Sequence, residues 1–300
     1  MDEPGVSNLE RRYRLLLRVL PLWYRQDREE EMVGLFLADR TDELDLEHSW
    51  PGWGETGAML GLAVRTRLAA AGAPVSAVRL GEVVRWLGVL GLLLGLTFLV
   101  PAVYGRIVQL SSPEFVPTPL WVTVSHFAPL VAVGLLLRGH RTWAKVVAGA
   151  ALVPWLVKVL THDGPAGAMS VLWQLPLLVT FGCLCLGFHR EAPTPPVRPV
   201  LWWSGAAVLV GAVELLTWGS GDAALAAVVL GVRIYAYVRG EVALGRALSI
   251  FALSFAGGLV VSYVDGPPES RGFVVVTAAL WLVSAAAPVR RASALGSRLP

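Results

Sequence analysis

From Gly81 onward the chain is a succession of about eight apolar segments, each long enough to cross a bilayer and separated by short polar loops. Hydrocarbon offers no water to the backbone, so such segments must close their own hydrogen bonds as helices. They fall near 83–105, 118–138, 142–160, 168–188, 199–218, 222–239, 242–264 and 272–289. The expected fold is all-α: a polytopic membrane helix bundle over residues 81–300, with short loops and a basic C-terminal tail, preceded by a small three-helix head over residues 1–80. Composition agrees, since 55% of the residues are hydrophobic and only 16% charged. The mean hydropathy of +0.61 is a surplus that a soluble globule of this size rarely carries.

Positive charge sorts with the loops. Arg138, Arg141 and Lys145 follow the second segment, Arg190 and Arg198 the fourth, Arg239 and Arg246 the sixth, and Arg290, Arg291 and Arg298 the eighth. The alternate exits hold only Arg106, Lys158 and Arg271. Cytosolic loops collect Arg and Lys, so this alternation predicts a multi-pass protein of the cell (inner) membrane with both termini in the cytosol. Tryptophan supports the same frame: Trp86, Trp143, Trp202 and Trp203 fall at the cytosolic ends, and Trp121, Trp155, Trp173 and Trp218 toward the opposite face. The N-terminus is charged and lacks an apolar signal core, so the first span is expected to serve as its own insertion signal. The short loops predict that consecutive spans pair as antiparallel hairpins.

Residues 1–80 hold ten basic against thirteen acidic residues, so the sequence pI of 9.1 comes from the membrane loops. No basic stripe with interleaved aromatics occurs, which removes nucleic acid from the partners. Cys183 and Cys185 stand two apart in an apolar segment, where a helix turns them about 200° from each other, so they neither bridge nor chelate together.

Within the head, Ser7 and Glu10 fit a capping box, and Leu9, Tyr13, Leu16, Leu17 and Leu20 follow at helical spacing. Pro21 interrupts this helix. A second is predicted from about Arg25 to Ala38, burying Met32, Leu35 and Phe36, with Asp27, Glu29, Glu30 and Glu31 in its first half. A third runs from about Glu55 to Ala71, closed by Gly72 and Pro74.

The run Leu9-Glu10-Arg11-Arg12-Tyr13-Arg14, with Leu17, Leu20-Pro21, Tyr24-Arg25 and Arg28-Glu29-Glu30-Glu31-Met32, resembles the helical N-terminal module of actinobacterial integral membrane proteins. It also looks like a divergent HAAS domain, the helical signalling module associated with PadR-type regulators. The resemblance covers about 70 residues, says nothing of the spans, and implies a cytosolic sensor or docking unit. Near-exclusive use of Arg over Lys fits a high-GC genome. The same residues also suit a helical hairpin that braces the first span.

Ionisable groups at membrane depth cost about 2.5–3.5 kcal/mol at a helix centre on insertion scales, so each invites an explanation. Glu214 in the fifth span and Arg233 in the sixth are offset along the axis by on the order of 10 Å, a gap that a long Arg narrows unless it snorkels to the cytosolic face. They form a structural pair or part of a functional pathway. His126, Lys158, Gln174 and Glu214 come from four consecutive spans and share the outer half of the membrane, where they line an outward-facing cavity or are solvated separately near span ends. Lys158 is the better depth match for Glu214. Gly88, Gly91 and Gly95 make a small-residue stripe with a GxxxG, read as a helix-packing surface within the chain. His140, His162 and His189 sit at span ends without chelate spacing, so no metal site is expected. The proline run from Pro193 to Pro199 is a stiff linker between the first four spans and the last four.

No phosphate-binding loop, metalloprotease, nucleophile-elbow or EF-hand pattern occurs, so the sequence implies no catalytic residue, cofactor or enzyme activity. The leading expectation is a signalling or regulatory membrane protein whose only sure partner is the lipid bilayer and whose head docks a cytosolic regulator. The alternative is a transporter or permease component served by a separate ATPase subunit.

Overall fold

The computed structural model describes residues 7–38, 50–68, 73–111, 119–161, 174–189, 192–217, 221–255, 258–259, 263 and 271–286. Helix dominates, and no strand occurs among the described residues. The chain divides at Gly81 into two compact units.

In the first unit, α1 (Asn8–Leu17), α2 (Leu22–Ala38) and α3 (Trp53–Arg67) share one apolar core. Ser7 caps α1 from an extended backbone, its Oγ accepting from Glu10 N–H at 3.1 Å. The reciprocal half of the expected capping box is not formed, because the Glu10 carboxylate is held by Arg14 Nε at 2.9 Å. Pro21 has no N–H to continue α1, whose end winds tighter as Val19 and Leu20 bond back three residues to Leu16 and Leu17. The Pro21 carbonyl then accepts from Tyr24 and Arg25, so α2 starts at Leu22 rather than near Arg25. Leu9, Tyr13, Leu17 and Leu20 form the buried stripe of α1, and Tyr13 stacks on Phe36 with ring centroids 3.9 Å apart. Each fully buried leucine contributes about 1.5–3 kcal/mol. Val33 carries the buried face of α2, whereas Leu35, two residues on and so about 200° around the helix, is exposed instead of buried. Met59 and Ala63 complete the core, and Arg67 Nη2 donates to the Val19 carbonyl at 2.8 Å, tying the end of α3 to the α1–α2 turn.

The second unit is organised around α4 (Val75–Thr97), buried all round from Leu87 to Thr97. One side of α4, through Val83, Leu87, Leu90 and Leu94, packs on α12 (Gly221–Arg239), α13 (Val242–Ser254) and α14 (Arg271–Ala286). The other, through Val89, Leu92, Leu93 and Leu96, packs on α7 (Ala128–Leu137), α8 (Arg141–Ala150), α10 (Leu175–Gly187) and α11 (Val197–Thr217). A helix apolar on every face is the expected occupant of such a centre. The remaining elements, α5 (Leu99–Ser111), α6 (Leu120–Ser125) and α9 (Val153–Thr161), continue or precede these.

The glycine stripe of α4 faces two neighbours within the chain. A side chain at Gly88 would lie 3.1 Å from Leu184, one at Gly91 would collide with Thr180, and one at Gly95 would meet Pro129. Two hairpin turns share one device. At Gly139 (φ 82°) and Gly240 (φ 74°) the helix ends in the left-handed region, and the residues after them, His140 and Glu241, donate back to Leu135 and Ala236 at 2.8 and 2.9 Å. These turns reverse the chain between α7 and α8 and between α12 and α13.

Among the described residues two helices are long and apolar enough to cross a membrane by length and composition: Val75–Ser111, 37 residues including a turn at Phe98, and Leu120–Leu137, 18 residues. The first exceeds the 83–105 segment at both ends, because Arg79, Glu82, Arg106 and Gln109 are good helix formers and apolarity does not mark where a helix stops. Leu175–Gly187, Val197–Val213, Val242–Ser254 and Arg271–Ala286 are apolar and shorter among the described residues.

Candidate functional site

A cavity of about 1020 Å³ opens in the second unit between α4, the α6–α7 and α8–α9 turns, and the start of α10. Its position follows from prolines. Pro101 lacks the N–H that the Thr97 carbonyl would use four residues on, and the helix breaks at Phe98 between α4 and α5. Pro129 does the same to the Ser125 carbonyl, and α6 gives way to α7 through a tight turn at His126–Phe127. Pro154 removes the partner of the Ala150 carbonyl, and α8 gives way to α9 at Ala151–Leu152. Pro176 stands in the first turn of α10, where a proline costs no hydrogen bond. Phe98, His126, Ala151, Gln174 and Pro176, one or more from each break, all line the cavity.

His126 and Gln174, expected to share a polar layer, face this same space. His126 ends α6 with its Nδ1 2.8 Å from the Val122 carbonyl. In the tautomer that donates from Nδ1 to that carbonyl, Nε2 is the acceptor of the ring. Gln174 stands at the N-cap of α10 without capping it by its side chain. The hydroxyls are already spent: Ser125 donates to Val122, Thr97 to Leu94 and Thr180 to Pro176, at 2.6 to 2.7 Å. Trp155 adds a ring whose Nε1 is buried without a hydrogen-bond partner. No described residue lining the cavity is charged.

The other expected site residues fall elsewhere. Lys158 and Glu214 sit in α9 and α11, and their side chains lie outside the described residues, although Val157 and Val210 of the same helices line the cavity. Arg233 belongs to the buried stripe of α12, with Ala226, Val229 and Ala236, and is 2% exposed; it does not line the cavity. Gly91 and Gly95 form part of the cavity wall, while Gly88 packs below it on Leu184. Trp173, Trp218, His162, Arg190 and the basic tail lie outside the described residues. Among the described residues no group of three His, Cys, Asp or Glu is placed to hold a metal ion.

The prolines, absent from the expected site residues, carry their own sequence signal: an interior proline in each of the first four apolar segments (Pro101, Pro129, Pro154, Pro176) and none in the interior of the last four.

In the head, Arg14 is the electrostatic centre. Its guanidinium meets both oxygens of Glu30 at 2.6 and 2.8 Å and Glu10 at 2.9 Å, which holds the Glu30 carboxyl below its usual range and raises Arg14. Burial, with the Glu55 charge adding to it, pushes the Tyr13 phenol up. Leu22, Leu35 and Trp53 remain exposed on this unit, Trp53 at 92%.

No protein-family model, no curated protein and no solved structure matches the chain.

Proposed function

We propose that this is a multi-pass protein of the cell membrane, crossing about eight times with both termini in the cytosol, and that its helical head docks a cytosolic regulatory partner. The membrane placement is supported by an inverted distribution of side chains in the second unit. Leu209, Leu216, Trp202 and Val238 point outward at 65, 80, 81 and 67% exposure, while Thr180, Ser204, Ser254, Thr277 and Ser284 are buried. Water would penalise so much outward apolar surface, whereas lipid accepts it and small hydroxylated residues let helices pack. Alternation of basic loops supports the orientation.

The single observation that carries the docking role is an ordered head with its own core that still exposes Leu22, Leu35, Trp50 and Trp53. The HAAS-like run in α1 and α2 points the same way. The test is affinity purification of the full chain beside a version lacking residues 1–75, with mass spectrometry of what accompanies each. A transcription regulator or other signalling protein lost on truncation is the expected result; identical lists from both would end the docking role.

A second reading, a permease component, is favoured by the cavity alone. An ATPase subunit retained by the truncated chain would establish it in place of the first.

A further inference from the structure

We propose that the cavity among α4, α7, α9 and α10 binds an uncharged amphiphile: an apolar body held by the walls and a hydroxyl or amide head that donates hydrogen bonds to His126 Nε2 and Gln174. The inference rests on the membrane placement proposed above and is independent of what the head does.

Irregular backbone at membrane depth is tolerated where it is packed in protein or lines a cavity, and transporters place substrate sites at broken helices for that reason. Here three helices break, and a fourth starts on a proline, around one space. Each break removes the N–H four residues on from a carbonyl, at Thr97, Ser125 and Ala150, of which the Thr97 oxygen is packed against Gly211 of α11. Ser125, Thr97 and Thr180 turn their own protons onto helix carbonyls and offer none to a guest. With Trp155 Nε1–H also left without a partner at the wall, a hydroxyl or amide, able both to donate to His126 Nε2 and to accept, is the complement.

Lining and size narrow the class further. The described wall is mostly apolar with a few uncharged polar side chains, the pattern that suits an uncharged amphiphile. The volume of about 1020 Å³ reaches the top of the range of about 300–1,000 Å³ for small-molecule pockets, enough for a long alkyl or polycyclic body.

The test uses the full chain, recovered from the membrane fraction and placed in phosphatidylethanolamine and phosphatidylglycerol nanodiscs, so that a negative result speaks to the cavity and not to the placement. The probes are hexadecanol with a mid-chain diazirine and its methyl ether, which has the same body and no proton to donate. Expected are saturable crosslinks in peptides containing 120–129 and 174–181, with the alcohol preferred about tenfold, the worth of one net hydrogen bond. His126→Phe with Gln174→Leu should bring that preference to near one while the body still labels. Ala151→Trp, which fills the space, should abolish saturable labelling, and Leu209→Phe on the outward face should leave it unchanged. Non-saturable labelling spread around Leu209, or an alcohol preference unchanged in the double variant, would overturn the proposal; the double variant decides even if Ala151→Trp does not fold.

Discussion

At Gly91 the smallest possible side chain would fall inside Thr180 of α10, so Gly91→Ala is expected to cost about 1–3 kcal/mol through overpacking. Gly134, with open space beside it in α7, is the contrast: Gly134→Ala should be neutral or gain about 0.5–1 kcal/mol from helix propensity. Thermal unfolding of both variants in detergent checks the pair. In the head, two titrations bracket the stable range. The Glu30 carboxyl is depressed from its ordinary value of 4.5 by Arg14, so its contribution is present above that value and is lost as pH falls through the lower folded value. Tyr13 is raised above its ordinary value of 10.0, so its contribution is present below that value and is lost as pH climbs toward the folded value. Limited proteolysis of the full chain against pH should show the head opening at the alkaline end, with only a small acid arm from the solvent-exposed Arg14–Glu30 pair, which Glu30→Gln should flatten.

Each element owes its ends to a few residues, and these were unequally legible. Ser7 and Pro21 announce the start and stop of α1 through local hydrogen bonding, and the structure places both there. Leu35 is expected on the buried face and is exposed, because a helix with Met32, Val33, Leu35, Phe36 and Leu37 has too many apolar residues for one face, and only the position of α1 chooses among them. The ends of α4 and α5 were hidden for another reason, since Arg79 and Gln109 continue a helix beyond its apolar part. Gly139 and Gly240 matter at this scale because their turns need a left-handed backbone. An alanine there is expected to cost about 1–2 kcal/mol and to lower the unfolding midpoint, whereas asparagine should cost less. Pro154→Ala returns an N–H to the Ala150 carbonyl and should straighten the α8–α9 joint. A higher unfolding midpoint is expected together with weaker retention of the hexadecanol probe, a trade between stability and a built-in break.

Across the whole molecule, all-helical character was legible because hydrophobic length and periodicity are local properties. Assembly of the cavity was not. His126 and Gln174 could be assigned to one depth from loop charges, but their convergence depends on which helices neighbour α4, and α4 chooses its neighbours through Gly88, Gly91 and Gly95 on one side and Leu87, Leu90 and Leu94 on the other. The ionisable residues drew attention by their cost, while the prolines, which set where backbone polarity is released, carry no charge to notice.

The central claim is a bundle of about eight crossings with cytosolic termini, and cysteine accessibility in intact cells tests it most directly. In a background carrying Cys183→Ala and Cys185→Ala, single substitutions Ser111→Cys, Ser270→Cys, Thr194→Cys and Ser297→Cys would be exposed to a membrane-impermeant maleimide. Labelling of the first two from outside, with the last two reacting only after permeabilisation, is the expected result. Outside labelling at Thr194→Cys or Ser297→Cys, or protection of Ser111→Cys and Ser270→Cys alike, would contradict it.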